Sequence, residues 1–376
     1  MARTEDQVPE EDEVEEIRGD ILDAILSHVP LVDLVPASRV CKSWCCAVKS
    51  SLRYLNKPKP WLMLHSQDTR HPYNISMHAY DTRSHVWMKM VRPSIKCMSN
   101  LKSSHSNFIY DLSSLKLSYS FDPLNLTWSH VYPPFGWRND PIVARVGDFI
   151  IVAGGGCDYG SDPLPVEIYN IRTGTWHTCD NMPENLRDLQ ASIYLSIATT
   201  NEKLFVTEKQ TGRTYWFDRE IRCWSEPYNL NLGQSIVDYN IGTSNDDLIL
   251  VGLFKHVQNA EQLKIWKVVG EKFQCEEICE MPYLYVDKLK SKSVEISSVN
   301  VCVLRNFVYI YNPLEMEQVV MCELITDGCC RWWSIQNVVA RDKMLMSRLV
   351  FSCSDINVDE LQRVMTSENQ RFLVES

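Results

Sequence analysis

The sequence predicts a ring of six four-stranded antiparallel sheets, a β-propeller, behind a small all-α module. A hairpin with two aromatic residues at a fixed spacing recurs along the chain, the recurrence has a period near 50 residues, and residues 17–57 follow a helical period instead.

In VEIYNIRTGTWHTC, Val166 to Cys179, Tyr169 and Trp176 stand seven residues apart across a turn built on Thr173 and Gly174. Two short runs of β-branched and aromatic residues around a glycine-containing turn read as an antiparallel hairpin. The same spacing joins Tyr80 to Trp87, Phe121 to Trp128, Phe217 to Trp224 and Trp266 to Phe273. In the first four of these five units along the chain Asp81, Asp122, Asn170 and Asp218 follow the leading aromatic, and such short side chains accept backbone hydrogen bonds at the start of a tight turn. Lys267 breaks that rule in the unit that starts at Trp266. A sixth unit keeps Trp332 and Trp333 but has no aromatic partner seven residues earlier, so it reads as degenerate.

Successive second aromatics are 41, 48, 48 and 49 residues apart, with 59 more to Trp332. An apolar run precedes each hairpin (WLMLH, NFIYDL, DFIIVAGGG, KLFVTE, DLILVGLF, NFVYIYN), and each unit after the first has room for one more strand, such as PIVARV. Four strands per unit at this period suit a propeller; a β-sandwich also fills its core with Trp and Tyr but imposes no such interval. The first unit supplies only three strands, because Pro58 and Pro60 interrupt anything before it. Its missing inner strand is expected from SRLVFSCS, residues 347–354, which would close the ring and leave no open edge at the join.

FIIVAGGG followed by VEIYNIRTGTWHTC resembles a kelch blade, with a double glycine after the second strand and Tyr and Trp in the third and fourth; the period fits kelch better than the shorter WD40 interval. The other units carry IYDLS, VTEKQ and VGLFK in place of the glycines. The expected fold class is an all-β six-bladed kelch-type β-propeller at 58–355 preceded by the helical module at 17–57, with an acidic disordered tail at 1–16 and a C-terminal tail at 356–376.

In the helical module Ile21, Leu22, Ile25, Leu26 and Val29 fall at helical spacing, with Asp20 placed to cap the first turn and Pro30 ending the run. Leu34, Ala37, Cys41, Trp44, Cys45 and Val48 mark a second stripe, with Asp33 as a cap and Pro36 near the start. About 40 residues cannot bury this much apolar surface unaided, so the module needs a partner. It resembles an F-box, through Ile25, Leu26, Val29-Pro30-Leu31, Leu34 and above all RVCKSW, Arg39 to Trp44; Arg18-Gly19 stands near the place where family members commonly have Leu-Pro. Beside a kelch propeller, this makes nearly the whole chain similar to the plant F-box/kelch family. That resemblance implies docking on the Skp1-type adaptor of an SCF ubiquitin ligase, and through it on cullin, by Ile21, Leu22, Ile25, Leu26, Val29, Pro30, Leu31, Leu34, Val40, Cys41, Lys42 and Trp44. It also implies a protein substrate bound by the propeller for ubiquitination and proteasomal degradation, with enzymes of phenylpropanoid and flavonoid synthesis and light or clock regulators among the substrates of related proteins, a metabolic enzyme being the family-level expectation. A kelch scaffold acting outside a ligase is the competing class, with a propeller enzyme as the lesser alternative.

The net charge of -10 is concentrated in residues 1–16, which hold eight acids against Arg3; the remainder is -3, so no nucleic-acid footprint is indicated. No apolar run approaches the roughly 18 residues of a membrane span, and the acidic start does not read as a secretory signal. The expected setting is cytoplasmic or nuclear, with the 14 cysteines mostly reduced and buried. NIRTGTW is similar to the sialidase Asp-box, but Arg172 stands where Asp is expected. The nine histidines show no metal-ligand spacing, and no phosphate loop or nucleophile elbow is present. No catalytic residue, cofactor or metal is expected. Because strand direction alternates, the loops between second and third strands and the connections between blades emerge on one face. On it lie Arg70, Trp137, Arg138, Tyr159, Arg187, Tyr228 and Lys255, residue types that anchor protein interfaces, as candidates for substrate binding.

Overall fold

Three of the recurrent hairpins form as the aromatic spacing predicts. Tyr80 pairs with Trp87, Tyr169 with Trp176 and Phe217 with Trp224 directly across antiparallel ladders, and in each the ring centroids lie 5.3 Å apart. The acid or amide after the first aromatic organises the turn: Asp81 Oδ1 accepts the N–H of Arg83, Asn170 Oδ1 those of Arg172 and Thr173, and Asp218 Oδ1 those of Glu220 and Ile221. Each turn ends on a residue with left-handed backbone, His85, Gly174 or Arg222. The computed structural model describes residues 17–375 except for 18, 92–97, 125–126, 156–164, 180–181, 188, 231, 233–234, 256–260, 271–272, 326–328, 341–346 and 368–370. The expected acidic tail at 1–16 lies outside the described residues.

The other two hairpins differ. In blade 2 the ladder pairs Tyr119 with Ser129 and stops before Phe121 and Trp128, which join different hydrophobic clusters. In blade 5 the strands run on to Val269 and Gln274, so Trp266 faces Glu277 and Phe273 falls in the turn. The sixth unit is a complete blade, strands 300–304, 307–311, 318–324 and 330–336, with Trp332 opposite Cys322 and Trp333 opposite Met321.

Six sheets result, each a meander running outward from the channel. Their inner strands, 102–105, 142–146, 195–199, 236–244, 300–304 and 347–354, contact one another in that order and the last returns to the first. Closure is by Ser347–Ser354, antiparallel to Trp61–Asp68, as the missing first-blade strand predicts. Described residues beyond this strand form regular elements as well. Asn357 caps a helix, Val358–Ser367, through the Glu360 N–H, and Arg371–Glu375 then adds a fifth, outer strand to blade 1 alongside Val86–Val91.

Helices α1 (Asp20–His28), α2 (Leu31–Ala37) and α3 (Lys42–Ser50) precede the propeller. Asp20 is the first helical residue rather than a cap, and the second apolar stripe is split between α2 and α3. Pro36 lies in the last turn of α2, and the N-terminus of α2 is capped from the propeller: Leu31 N–H donates to Asp81 Oδ2 at 3.0 Å. Leu22, Leu26, Leu31, Val32, Leu34 and Val35 form one core with Trp61, Met63, Met77, Ala79 and Met88 of blade 1 and with Ile356, Leu361 and Val364 of the C-terminal segment. The partner that the helical module needs is therefore partly its own chain.

Candidate functional site

Burial splits the α1 stripe into two faces. Leu22 and Leu26 are 2% exposed against blade 1, whereas Ile21 and Ile25, one residue earlier in each turn, are 68% and 46% exposed. Val40 is 63% exposed; Ile17, Tyr54 and Leu55 are exposed too, and were not among the sequence candidates. Cys41 and Lys42 are exposed, and Val29, Pro30 and Trp44 half-buried. Leu22, Leu26, Leu31 and Leu34 are therefore corrected from docking residues to internal core: a helical period marks both sides of a wide stripe without saying which side the chain covers itself.

The module is held by the hairpin loop of blade 1. Arg83 donates to the carbonyls of Leu26 (2.7 Å), Val29 and Asn56 (2.9 Å) and to Ser51 Oγ (3.3 Å), so one buried guanidinium takes up orphan carbonyls at the end of α1. Asn56 Nδ2 donates to the Ser27 and Arg83 carbonyls.

This hairpin loop joins the third and fourth strands, so the module sits on the face opposite the loops that join second and third strands and the connections between blades. On that far face large apolar side chains are exposed: Tyr73, Leu115, Tyr132, Phe135, Trp137, Ile193, Tyr194, Tyr283, Leu284, Val294 and Leu314. Phe135 and Trp137 line a cleft of ≈ 240 Å³ with Leu112, Ser113 and Ser114 of blade 2. Beside it the channel opens into a cavity of ≈ 440 Å³ lined by polar groups that include Lys102, Asp140, Lys209, Asn240, Asn300 and Arg348.

These polar groups are mostly paired within the chain. Burial pushes the Asp140 carboxyl up, but hydrogen bonds from Lys102 and Ser192 outweigh it and hold the group below its ordinary range. Lys209 donates to Asn300 Oδ1 at 2.5 Å; burial lowers its pKa against the opposing charge of Asp238, whose own carboxyl burial raises. His105 is held near 3, first by burial and then by Arg145, and accepts the Arg145 N–H.

Of the sequence candidates on this face, Arg70 and Trp137 are exposed. Lys255 pairs with Glu295 at 3.0 Å, Arg187 lies 3.9 Å from Glu184, and Tyr228 packs on Phe273 with ring centroids 4.4 Å apart and planes tilted by 32° in the seam between blades 4 and 5. Tyr159 lies outside the described residues. Arg138 is a correction. It is 3% exposed and donates to Glu167 Oε2 (2.8 and 3.1 Å) and to the carbonyls of Gly154 (2.9 Å) and Pro165. Glu167 also accepts the Phe135 N–H at 2.5 Å, so this buried pair props up the loop that presents Phe135 and Trp137. Gly155 explains the double glycine: at φ 66° its carbonyl accepts the Asn139 N–H at 2.7 Å, and the backbone lies so close to this loop that a Cβ would stand 2.6 Å from the Asn139 carbonyl oxygen. Tyr132 and Phe135 were missed although both flank the Pro133-Pro134 pair, a stiff connection suited to holding side chains outward.

An F-box domain model matches residues 19–56. An F-box/kelch-repeat protein of Arabidopsis thaliana is 35% identical over 366 residues, 93% of each chain. The chain belongs to the F-box/kelch-repeat family. Among solved structures, a candidate 6-phosphogluconolactonase from Bacteroides uniformis aligns with TM-score 0.43 at 13% identity, covering 78% of this chain and 99% of that one. The hydrazine synthase of Kuenenia stuttgartiensis aligns with TM-score 0.39 at 9% identity, over 66% of this chain and 73% of that one. An F-box joined to a kelch-like propeller is the architecture of a substrate-recognition adaptor, and among the described residues no helix is long and apolar enough to cross a membrane.

Proposed function

We propose that the chain is the substrate-recognition subunit of an SCF-type ubiquitin ligase, without catalytic residues of its own and working in the cytoplasm or nucleus. Ile17, Ile21, Ile25, Val40, Tyr54 and Leu55 bind the Skp1-type adaptor, which links to cullin, and the far face of the propeller binds a protein for ubiquitination and proteasomal degradation. The observation that carries this reading is the concentration of exposed large apolar side chains on the F-box helices and on the opposite face of the propeller, with only Val91, Ile221, Val237, Leu373 and Val374 elsewhere among the described residues. Patches of this kind mark protein interfaces, and their placement keeps adaptor and substrate from competing. Proximity to the ubiquitin-loaded enzyme is then the catalytic contribution.

The resemblance makes an enzyme of phenylpropanoid or flavonoid synthesis the substrate class to test first. Ile21→Asp with Val40→Asp should lose the adaptor in a pull-down while leaving the melting temperature unchanged, because neither side chain supports the core. Phe135→Ala with Trp137→Ala should keep the adaptor, lose the substrate and lengthen its half-life in cells. Adaptor retained by the first pair would favour a scaffold outside a ligase; unchanged substrate turnover with the second would move the binding surface elsewhere.

A further inference from the structure

Three cysteines far apart in sequence meet in the seam between blades 5 and 6. Cys279 lies near the end of the outer strand of blade 5, Cys322 in the third strand of blade 6, and Cys330 at the start of its outer strand; their sulfurs all lie within 4.8 Å of one another. Backbone register brings them together. In blade 6, Cys322 faces Trp332 and Leu324 faces Cys330, so the two cysteines are diagonal neighbours on the side that looks toward blade 5. In blade 5 the ladder slips by one residue between Trp266↔Glu277 and Ile265↔Cys279, leaving Ile278 extra. Such a bulge re-aims side chains, and here both Ile278 and Cys279 pack on the blade 6 side with Leu324 and Trp332.

We propose that Cys279, Cys322 and Cys330 form a three-thiolate site for a single soft cation, zinc(II), completed by water. Zinc–sulfur bonds of about 2.3 Å at near-tetrahedral angles need sulfurs roughly 3.8 Å apart, a small contraction from the observed limit. Thiolate ligands select zinc over the hard cations. Cys322 is buried, while Cys279 and Cys330 are half-buried, which leaves a side open for entry and for the water. Binding exchanges three S–H protons for the cation and needs no oxidant: the three thiols and the hydrated ion give a monoanionic zinc–trithiolate and three protons. Among the described residues this is the one grouping of three such ligands. The buried pair Cys302 and Cys353, 3.0 Å apart, has two sulfurs and lies elsewhere, between blades 6 and 1. Bound zinc would tie the outer strand of blade 5 to blade 6, beside the helix Tyr283–Lys290, whose Tyr285 hydroxyl donates to the Trp332 carbonyl.

The test uses the full chain co-purified with its adaptor, stripped of metal by a chelator under reducing conditions and titrated with cadmium(II), then with zinc(II) against a chromophoric chelator. The expected result is one equivalent per chain, a thiolate-to-cadmium charge-transfer band of three-sulfur intensity, and a higher melting temperature with zinc. Cys279→Ser or Cys330→Ser should weaken zinc by more than about 100-fold, beyond what changes around an intact ligand set cost, whereas Cys223→Ser should not. Cys330→His keeps a zinc ligand, so it should retain zinc and lose about a third of the cadmium band; it guards against a serine variant that misfolds. Uptake that is substoichiometric, or equal in the triple-serine variant, overturns the site, and so does a disulfide among the three in protein isolated under reducing conditions.

Discussion

In blade 3 the loop Ile171–Gly174 stands in solvent, whereas in blade 1 the loop in the same place carries Arg83 buried under the helical module and Thr82 buried against Pro60 and Tyr309. Arg172 and Arg83 occupy equivalent positions of the two hairpins. Arg172, its side chain 77% exposed, pairs with Asp148, while Arg83, 3% exposed, donates to three carbonyls and a hydroxyl of the module. The blades also differ in where their strands come from. All of blade 3 lies between Ile142 and Cys179, but blade 1 takes its inner strand from 347–354 and its fifth from 371–375. One repeat unit serves as a local building block in one place, and as ring closure and docking platform in the other.

The largest break in this contrast is a chain ended at Met346. It loses the inner strand of blade 1, exposes edges on both sides of the gap and should show no cooperative melting transition. A chain ended at Ser354 keeps the ring but loses Leu361, Val364 and Phe372 from the shared core; it should melt cooperatively, with helices α1–α3 cut early by protease. A Met346-ended chain that melts like the full protein would remove the case for closure at blade 1.

Next in size is the arginine pair. Arg83→Ala leaves buried carbonyls without donors and should cost about 3 kcal/mol or more. Arg172→Ala removes a surface ion pair and should cost less than about 1 kcal/mol. Urea midpoints for both variants, with hydrogen exchange over α1–α3, measure the difference. Equal midpoints would mean that the module does not lean on blade 1.

The hairpins were legible because their determinants are local: a turn-starting Asp or Asn and two aromatics that face each other only if the turn has four residues. The same count misled at Phe121 with Trp128 and at Trp266 with Phe273, because spacing along the chain does not report where a ladder stops. The closing strand could be inferred from a gap, since propeller geometry demands one more strand than the first unit supplies. The helix Val358–Ser367 could not: its Leu361 and Val364 make a short stripe whose meaning depends on α2, more than 300 residues away. Arg138 misled for a related reason, as its partner Glu167 sits 29 residues away on the third strand of blade 3 and nothing near Trp137 marks one neighbour as exposed and the next as buried. The cysteine cluster depends on a one-residue register slip, which composition and spacing do not encode.

The smallest and sharpest test exchanges the residues that start the two hairpins. Asp81 uses one carboxylate oxygen for the Arg83 N–H and the other for Leu31 N–H and the Ser84 hydroxyl. Asp81→Asn retains one acceptor, sets an NH₂ group against those two donors and removes a negative charge from the N-terminus of α2; the expected loss is about 1–2 kcal/mol, with weaker protection of α2. Asn170 accepts the Arg172 and Thr173 N–H groups on a single oxygen, a role an aspartate fills equally well. Asn170→Asp should stay within about 0.5 kcal/mol of the native chain. Urea denaturation of the two variants decides the point: equal losses would mean that Asp81 serves its own turn alone, and the joint between propeller and helical module would then rest on Arg83 and the apolar core.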